Sequence, residues 1–462
     1  MDLLTSRPSL AVRPPEVPCS QGRRRVPLPP QYRRKTTHNA LPLTGPDNVT
    51  DCAAPRPRLL LISPVFPDLN GAGREKRACQ WTQKLEESYE VHMLVVLSGS
   101  QAPPDHAMLR LHPRLRYIHA SPKEHSRGKQ LCQALVSLCS GQISHASLSG
   151  WPTMGEEEQE QLRPYYSGMK LDKIVCFRLY LREYAVYLQR LTSCPAMELD
   201  LDDMESSTHY KIARLYRQEG QWPRSLLYML RGMHFKREEE RMGRDFEAVY
   251  VCSEEDQALL QHRLPQLRLH VMPNRLAGTP VRLPLPDTPR SLLFIGSLDY
   301  FPNEEAVSWL LREVLPRLRR VNSAWTLHIA GHTSNETLRR RLNDSGGVHY
   351  YGRVERVEEV YRPSYIVVSP LHAGGGTKLK ILEAMGFGRP IVATGESVYG
   401  LGLTPQEHYV PAETAGEFAA ACERLAESPE LAFRLSDQAR QVFIEKYTFE
   451  MTDYPGGSKS SL

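Results

Sequence analysis

The residues with the clearest chemical potential are Gly374-Gly375-Gly376-Thr377-Lys378, taken together with Glu383. Three successive glycines leave the backbone amides bare. Thr377 then opens a helix with Leu379, Ile381, Leu382 and Met385 as its apolar face and Gly386 and Gly388 as its stop. Free amides at a helix start, with the positive end of the helix dipole, make a place for an anion. Lys378 falls in the first turn, where a cation opposes the dipole, and a bound diphosphate would explain it. Glu383 follows Thr377 by six residues, about 9 Å along the axis at ~1.5 Å per residue. That is the reach from a diphosphate to the ribose of the same nucleotide, and a carboxylate accepts two hydrogen bonds, which suits a vicinal diol. The stretch reads as a nucleotide-diphosphate site. The competing reading is a plain tight turn with Glu383 paired to Lys380; Lys378 and the flanking strands weigh against it. A Walker loop needs Gly-Lys-Ser/Thr, whereas Thr377 precedes Lys378, and the dinucleotide fingerprint needs a further glycine that this turn lacks.

Apolar runs on either side position this turn. Tyr365-Ile366-Val367-Val368 precedes it and Ile391 to Thr394 follows Pro390, both reading as buried parallel strands. Earlier in the chain, Leu59 to Ser63 is a strand, Pro64 to Arg74 a loop containing Gly71 and Gly73, and a helix through Ala78, Trp81 and Leu85 leads to the strand Val91–Leu97. That is the opening of a doubly wound α/β domain. Leu171–Phe177 and Met197–Asp203 are further strands, the second ending in carboxylates at the edge that borders a ligand crevice in such sheets. Asp200 and Asp202 share one side of their strand. Two other readings of these aspartates are a metal-binding Asp-x-Asp and capping of a helix near Ser206-Ser207.

The glycine turn and its helix resemble the C-terminal half of retaining glycosyltransferases of the GT-B fold, group 1 (family 4). Leu293-Phe294-Ile295-Gly296-Ser297-Leu298-Asp299-Tyr300-Phe301-Pro302-Asn303 is similar to the first strand and glycine turn of that family's donor domain. Leu327-His328-Ile329-Ala330-Gly331 resembles its second strand, Tyr351-Gly352-Arg353-Val354 the segment beside the base, and Tyr399-Gly400-Leu401 the loop after the glutamate helix. The resemblance implies a fold of two doubly wound Rossmann-like domains facing across a cleft. It implies a donor site made of Gly296, Asn303, Gly331, Arg353, Val354, His372, Gly374, Gly375, Gly376, Thr377, Lys378 and Glu383, with Gly71 and Gly73 as the loop facing the phosphates. Lys378, Glu383, Asp202 and Arg178 are its catalytic candidates, with Asp203 beside them in the cleft. The family commonly has two glutamates with seven residues between them; Glu383 matches the second, and the first falls on Gly375.

The activity implied is transfer of a sugar from a nucleotide-diphosphate sugar, with retention and without a metal or other cofactor, to a sugar or lipid-linked acceptor held mainly by the N-terminal domain. Bacterial polysaccharide or glycolipid synthesis is the expected setting. The rival functions are a nucleotide-sugar epimerase and a non-catalytic relative that binds nucleotide or a partner protein.

Composition bounds the rest. Residues 1–58 carry ten Lys/Arg and four Asp/Glu, so the +5 of the 462-residue chain leaves −1 for the remainder, which argues against a nucleic-acid partner. Residues 1–57 hold eleven of the 36 prolines and read as a disordered Pro/Arg-rich tail. The expected domains are 58–275 on the acceptor side, a linker over 276–290, a donor domain over 291–430, a helix over 431–450 and a flexible end over 451–462. Nine cysteines form no Cys-x-x-Cys pair and read as reduced thiols with no zinc site, which fits a cytoplasmic location. No apolar run approaches the ~20 residues of a membrane span. Lys123 to Leu138 fits a membrane-surface helix and an ordinary packed helix equally, so peripheral contact with the inner face of the plasma membrane stays open. Many members of the resembled family use an N-terminal-domain histidine near the reacting sugar; His145 lies in Gly141-Gln142-Ile143-Ser144-His145-Ala146, where a lone histidine is more often a surface residue.

Overall fold

The computed structural model describes residues 55–69, 71–98, 113–120 and 154–449. The 123–138 stretch, His145, most of the 1–57 tail and the 451–462 end lie outside the described residues. Two parallel sheets are built from short apolar runs. The first contains β1 (Arg58–Ser63), β2 (Glu90–Ser98), β3 (Leu115–Ala120), β4 (Lys173–Phe177), β5 (Met197–Asp202), β6 (Ala248–Val251) and β7 (Leu269–Val271), in the order β3-β2-β1-β4-β5-β6-β7. After β8 (Leu276–Ala277) comes the second: β9 (Ser291–Ile295), β10 (Thr326–Ala330), β11 (Val348–Gly352), β12 (Ile366–Ser369), β13 (Ile391–Ala393) and β14 (Val410–Pro411), in the order β11-β10-β9-β12-β13-β14. This is the doubly wound architecture expected, twice over.

The central strands are runs of Leu, Ile and Val because helices cover both faces, and only strand ends such as Arg58 and Lys173 reach water. Leu59 to Ile62 are fully buried, and so are Ile366, Val367 and Val368. Apolar clusters fill both faces of each sheet. In each sheet the strand order reverses at one place, between β1 and β4 and between β9 and β12. The crevice outside the carboxyl ends at such a reversal is where open α/β sheets bind ligands.

Some boundaries differ from the sequence reading. The fifth strand stops at Asp202, whose φ of +60° ends the extended run before Asp203. The last helix runs Pro429–Lys446, not 431–450, because Ser428 caps it by accepting from the Leu431 amide and Pro429 pre-sets the first turn. It packs along the helix Leu379–Phe387, with the Phe443 ring against Gly386. The chain then forms β15 (Thr448–Phe449), which pairs with β8, so the proline-rich 276–290 segment is partly strand. Among the described residues no helix is long and apolar enough to cross a membrane.

Candidate active site

The turn after β12 leads into the helix Leu379–Phe387. That helix begins two residues later than Thr377. Lys378 is its N-cap, in an extended conformation, and makes no capping bond. Lys378 is therefore not a cation in the first turn. Its buried Nζ folds back to donate to the carbonyls of Gly376 at 2.7 Å and Gly375 at 3.3 Å, with Glu396 Oε1 3.8 Å away. Burial lowers its pKa, against the pull of Glu396. No described residue accepts a hydrogen bond from the amides of Gly374, Gly375, Gly376, Thr377 or Lys378. Five donors thus stand open beside a helix start, the arrangement that binds phosphate.

The turns after β9 and β10 meet backbone to backbone beside this corner. Gly296 donates to the carbonyl of Ala330 at 2.9 Å, and any β-carbon on Gly331 would overlap the Gly296 carbonyl. Asn303 donates to the carbonyl of Ser297 at 2.8 Å and accepts from Lys380 Nζ at 2.8 Å. Lys380 lies 4.1 Å above the Phe294 ring; burial, then the charge of Lys378, bring its pKa down to about 7. His372 turns toward Glu305, 3.6 Å away, and the Trp309 ring, and the interaction with Glu305 raises its pKa. Arg353 is exposed, while Val354 packs on the apolar cluster beneath the glutamate helix.

Glu383 does not pair with Lys380. Its Oε1 takes Lys76 Nζ at 2.8 Å, from the helix Gly73–Glu86 that follows β1, and Tyr361 Oη lies 3.4 Å from Oε2. Gly73 begins that helix, and a β-carbon there would stand 3.5 Å from Leu379. The two helix starts, one from each sheet, therefore face each other. Gly71 donates to the carbonyl of Asp68 at 3.2 Å in the loop before it. Asn274 completes the junction by donating to Thr377 Oγ1 at 2.8 Å, while its own carbonyl oxygen accepts from Arg77.

Below Asn274 lies a buried charge cluster. Arg77 donates to both oxygens of Asp200 at 2.6 and 2.7 Å, and Asp202 Oδ1 lies 3.5 Å from it, so Asp200 and Asp202 do share one side. Arg178 donates to Asp203 and to Asp202 Oδ2 at 3.1 Å, with Glu205 Oε1 3.4 Å away. Burial pushes the Asp202 carboxyl up. Burial pushes on Asp203 too, but the charge and hydrogen bond of Arg178 outweigh it and hold that carboxyl below its ordinary range. Glu205 is carried up to about 7 by burial. The aspartates do not cap a helix: the helix Glu205–Gln218 has Met204 at its N-cap and no side-chain cap bond. Their partners are guanidinium groups, and among the described residues no His/Cys/Asp/Glu group is placed to hold a metal ion.

Asp203 also touches the glycine turn. Any β-carbon at Gly375 would overlap Asp203 Oδ2 and Thr208 Oγ1, which are themselves hydrogen-bonded at 3.0 Å. Glycine at 375 is required by the approach of the other sheet. A carboxylate therefore occupies the space that a side chain at 375 would take.

Gly296, Asn303, Gly331, Gly374 to Lys378, Glu383, Gly73 and Asp202 thus surround one corner between the sheets. His372 and Arg353 point to other partners, and Arg178 is buried among carboxylates. Lys76, Arg77, Asn274, Thr208 and Tyr361 went unrecognised in the sequence. One signal was present: Arg74, Lys76 and Arg77 crowd cations into the start of a helix, against its dipole.

Comparison with known proteins agrees with this geometry. Residues 289–428 match the family model Glycosyl transferases group 1. An uncharacterized 44.6 kDa protein in the cps region of Klebsiella pneumoniae is 29% identical over 136 residues, 28% of this chain and 35% of that protein, so the match spans about a third of the relative's length. Among solved structures, sucrose-phosphate synthase from Thermosynechococcus elongatus superposes with a TM-score of 0.58 at 16% identity, over 85% of this chain and 95% of that one. A TarM mutant from S. aureus in complex with fondaparinux, alpha-GlcNAc-glycerol and UDP gives 0.56 at 11% identity, over 85% and 97%. The pneumococcal O-GlcNAc transferase GtfA in complex with UDP and GlcNAc gives 0.54 at 10% identity, over 85% and 96%. The chain has the GT-B fold, and its second sheet and surrounding helices match the group 1 glycosyl transferases.

Proposed function

We propose that this protein transfers a sugar from a nucleotide-diphosphate sugar to an acceptor hydroxyl, with retention at the anomeric carbon. The observation that carries the reading is the run of unengaged amides from Gly374 to Lys378, at a helix start facing the other sheet, with Glu383 one and a half turns along the same helix. The amides and Lys378 stabilise the leaving diphosphate, so no metal is needed there. The Lys378 ammonium leaves the glycine carbonyls for a phosphate oxygen, and Glu383 exchanges Lys76 for the ribose hydroxyls. Asp203, kept ionised by Arg178, supplies the negative charge that the resemblance assigns to a glutamate at 375, beside the carbon where positive charge builds. A carboxyl held below its ordinary range by Arg178 is a poor proton acceptor, so the acceptor's proton goes to the leaving phosphate.

The relatives solved with UDP and sugars support a nucleotide-sugar donor, and the cps-region relative supports polysaccharide or glycolipid synthesis. A sugar or lipid-linked acceptor, met at the cytoplasmic side of a membrane, fits that setting. An epimerase would need histidines converging on the sugar, whereas His372 is engaged by Glu305 and His209 by the Glu205 carbonyl. Incubating the protein with a panel of nucleotide sugars tests the reading. Hydrolysis or transfer with release of nucleotide supports it; an epimer or glycal, or binding without turnover, replaces it.

A further inference from the structure

The helices Glu205–Gln218 and Trp222–Arg241 form a hairpin beside the site. Its inner side is packed: Phe235 and Leu230 are buried, and the Tyr210 ring fills the space a β-carbon on Gly232 would need. Tyr216 stacks on Phe301 of the donor domain, ring centroids 3.8 Å apart. The outer side of the second helix is different. Trp222 is 64% exposed, Met229 44% and Leu226 36%, whereas most large apolar side chains among the described residues are covered. At about 100° per residue these three, half-buried Met233 and exposed Lys236 and Arg237 fall in a sector about 100° wide. One face therefore carries an apolar row followed by a cationic pair, with exposed Glu240 one turn further along it. Scattered exposed apolar residues mean little; an aligned row headed by tryptophan is a contact surface.

We infer that this face docks the protein on an anionic lipid surface, with Trp222, Leu226 and Met229 entering the headgroup region and Lys236 and Arg237 meeting phosphates. Apolar side chains with flanking cations on one helix face are the composition of interfacial helices. Exposed cations Arg214, Arg217, Arg224 and Arg241 on the same hairpin outnumber the exposed acids Glu219 and Glu240 and add to the attraction. The inference does not depend on the donor chemistry proposed above.

Flotation of the full-length chain with phosphatidylglycerol-containing and pure phosphatidylcholine vesicles, without nucleotide, tests the inference. The wild type should float with anionic vesicles, less so as salt rises. The triple variant W222S/L226S/M229S should bind at least tenfold more weakly, and K236E/R237E should lose the preference for anionic lipid, both with unchanged nucleotide affinity by calorimetry. Equal binding by the triple variant, as the basic 1–58 segment alone would sustain, overturns the proposal. So does absence of binding, or a wild-type dimer in light scattering that becomes a monomer in the triple variant.

Discussion

Lys76 and Glu383 hold the two sheets together at the site, Nζ 2.8 Å from Oε1, with both side chains largely buried. The carboxylate proposed to take the ribose diol is thus already engaged by a cation from the opposite sheet, and on that proposal a nucleotide displaces it. Glu383→Ala should weaken nucleotide binding by about 1–3 kcal/mol through lost hydrogen bonds. Lys76→Met should instead tighten it by up to about tenfold, since a partly buried pair worth ~1 kcal/mol no longer competes. Calorimetry with UDP reads both; a weaker Lys76→Met variant would sink the displacement idea.

Gly375 and Asp203 are coupled by contact. Gly375→Ala forces the β-carbon into Asp203 and should destabilise the fold by about 1–3 kcal/mol. In Gly375→Ala/Asp203→Ala the closer of the two overlaps is gone and only the Thr208 hydroxyl still has to move, so the double variant should be more stable than the sum of the single effects by ~1 kcal/mol or more. Denaturant unfolding measures the cycle, and strict additivity would show that the two positions do not meet.

Lys380, with a pKa near 7, should make donor binding sensitive to pH. An anion bound at the glycine turn favours its charged form and raises that pKa, so binding takes up a proton. Affinity should be highest below pH ~7 and fall as pH rises through the free-state value toward the bound one. Calorimetric heats in buffers of different ionisation enthalpy would reveal the uptake, and Lys380→Met should abolish it. Equal heats in all buffers for the wild type would exclude it.

His209 is held neutral by burial, which brings its pKa down to about 4, and its Nδ1 lies 2.7 Å from the Glu205 carbonyl oxygen. The unfolded chain protonates this ring near its ordinary value of about 6.5, while the folded chain does not. Stability is therefore fully present above pH ~6.5 and is lost as pH falls toward ~4, by roughly 2–3 kcal/mol at the low end. His209→Gln should flatten the stability profile over that window, although its value at pH 7 should drop for lost packing. An unchanged slope would show that another group dominates.

What could be read in order along the chain came from interactions that are local. Buried parallel strands announce themselves as apolar runs such as Leu59–Ile62 and Ile366–Val368, because covering helices leave them no polar face. The glycine turn and its helix were visible for the same reason: bare amides and an apolar face lie within fifteen residues. The start of that helix was misjudged by two residues, since Lys378 adopts an extended conformation and spends its ammonium on the turn's own carbonyls. The rival pairing of Glu383 with Lys380 does not form, Lys380 being drawn instead to Asn303 and the Phe294 ring, while the partner that Glu383 does take, Lys76, lies in the other sheet's first helix.

The sequence by itself determined two doubly wound layers and a helix start able to receive a diphosphate. Only the tertiary structure decided what faces that helix. Lys76 and Glu383 are 307 residues apart, Asn274 and Thr377 103 apart, and each pair meets solely because two separately built sheets turn their carboxyl ends toward each other. Docking depends on the summed fit of both surfaces, and no local run of residues encodes it. That is why Gly375 looks like a missing carboxylate along the chain and, in space, lies against Asp203.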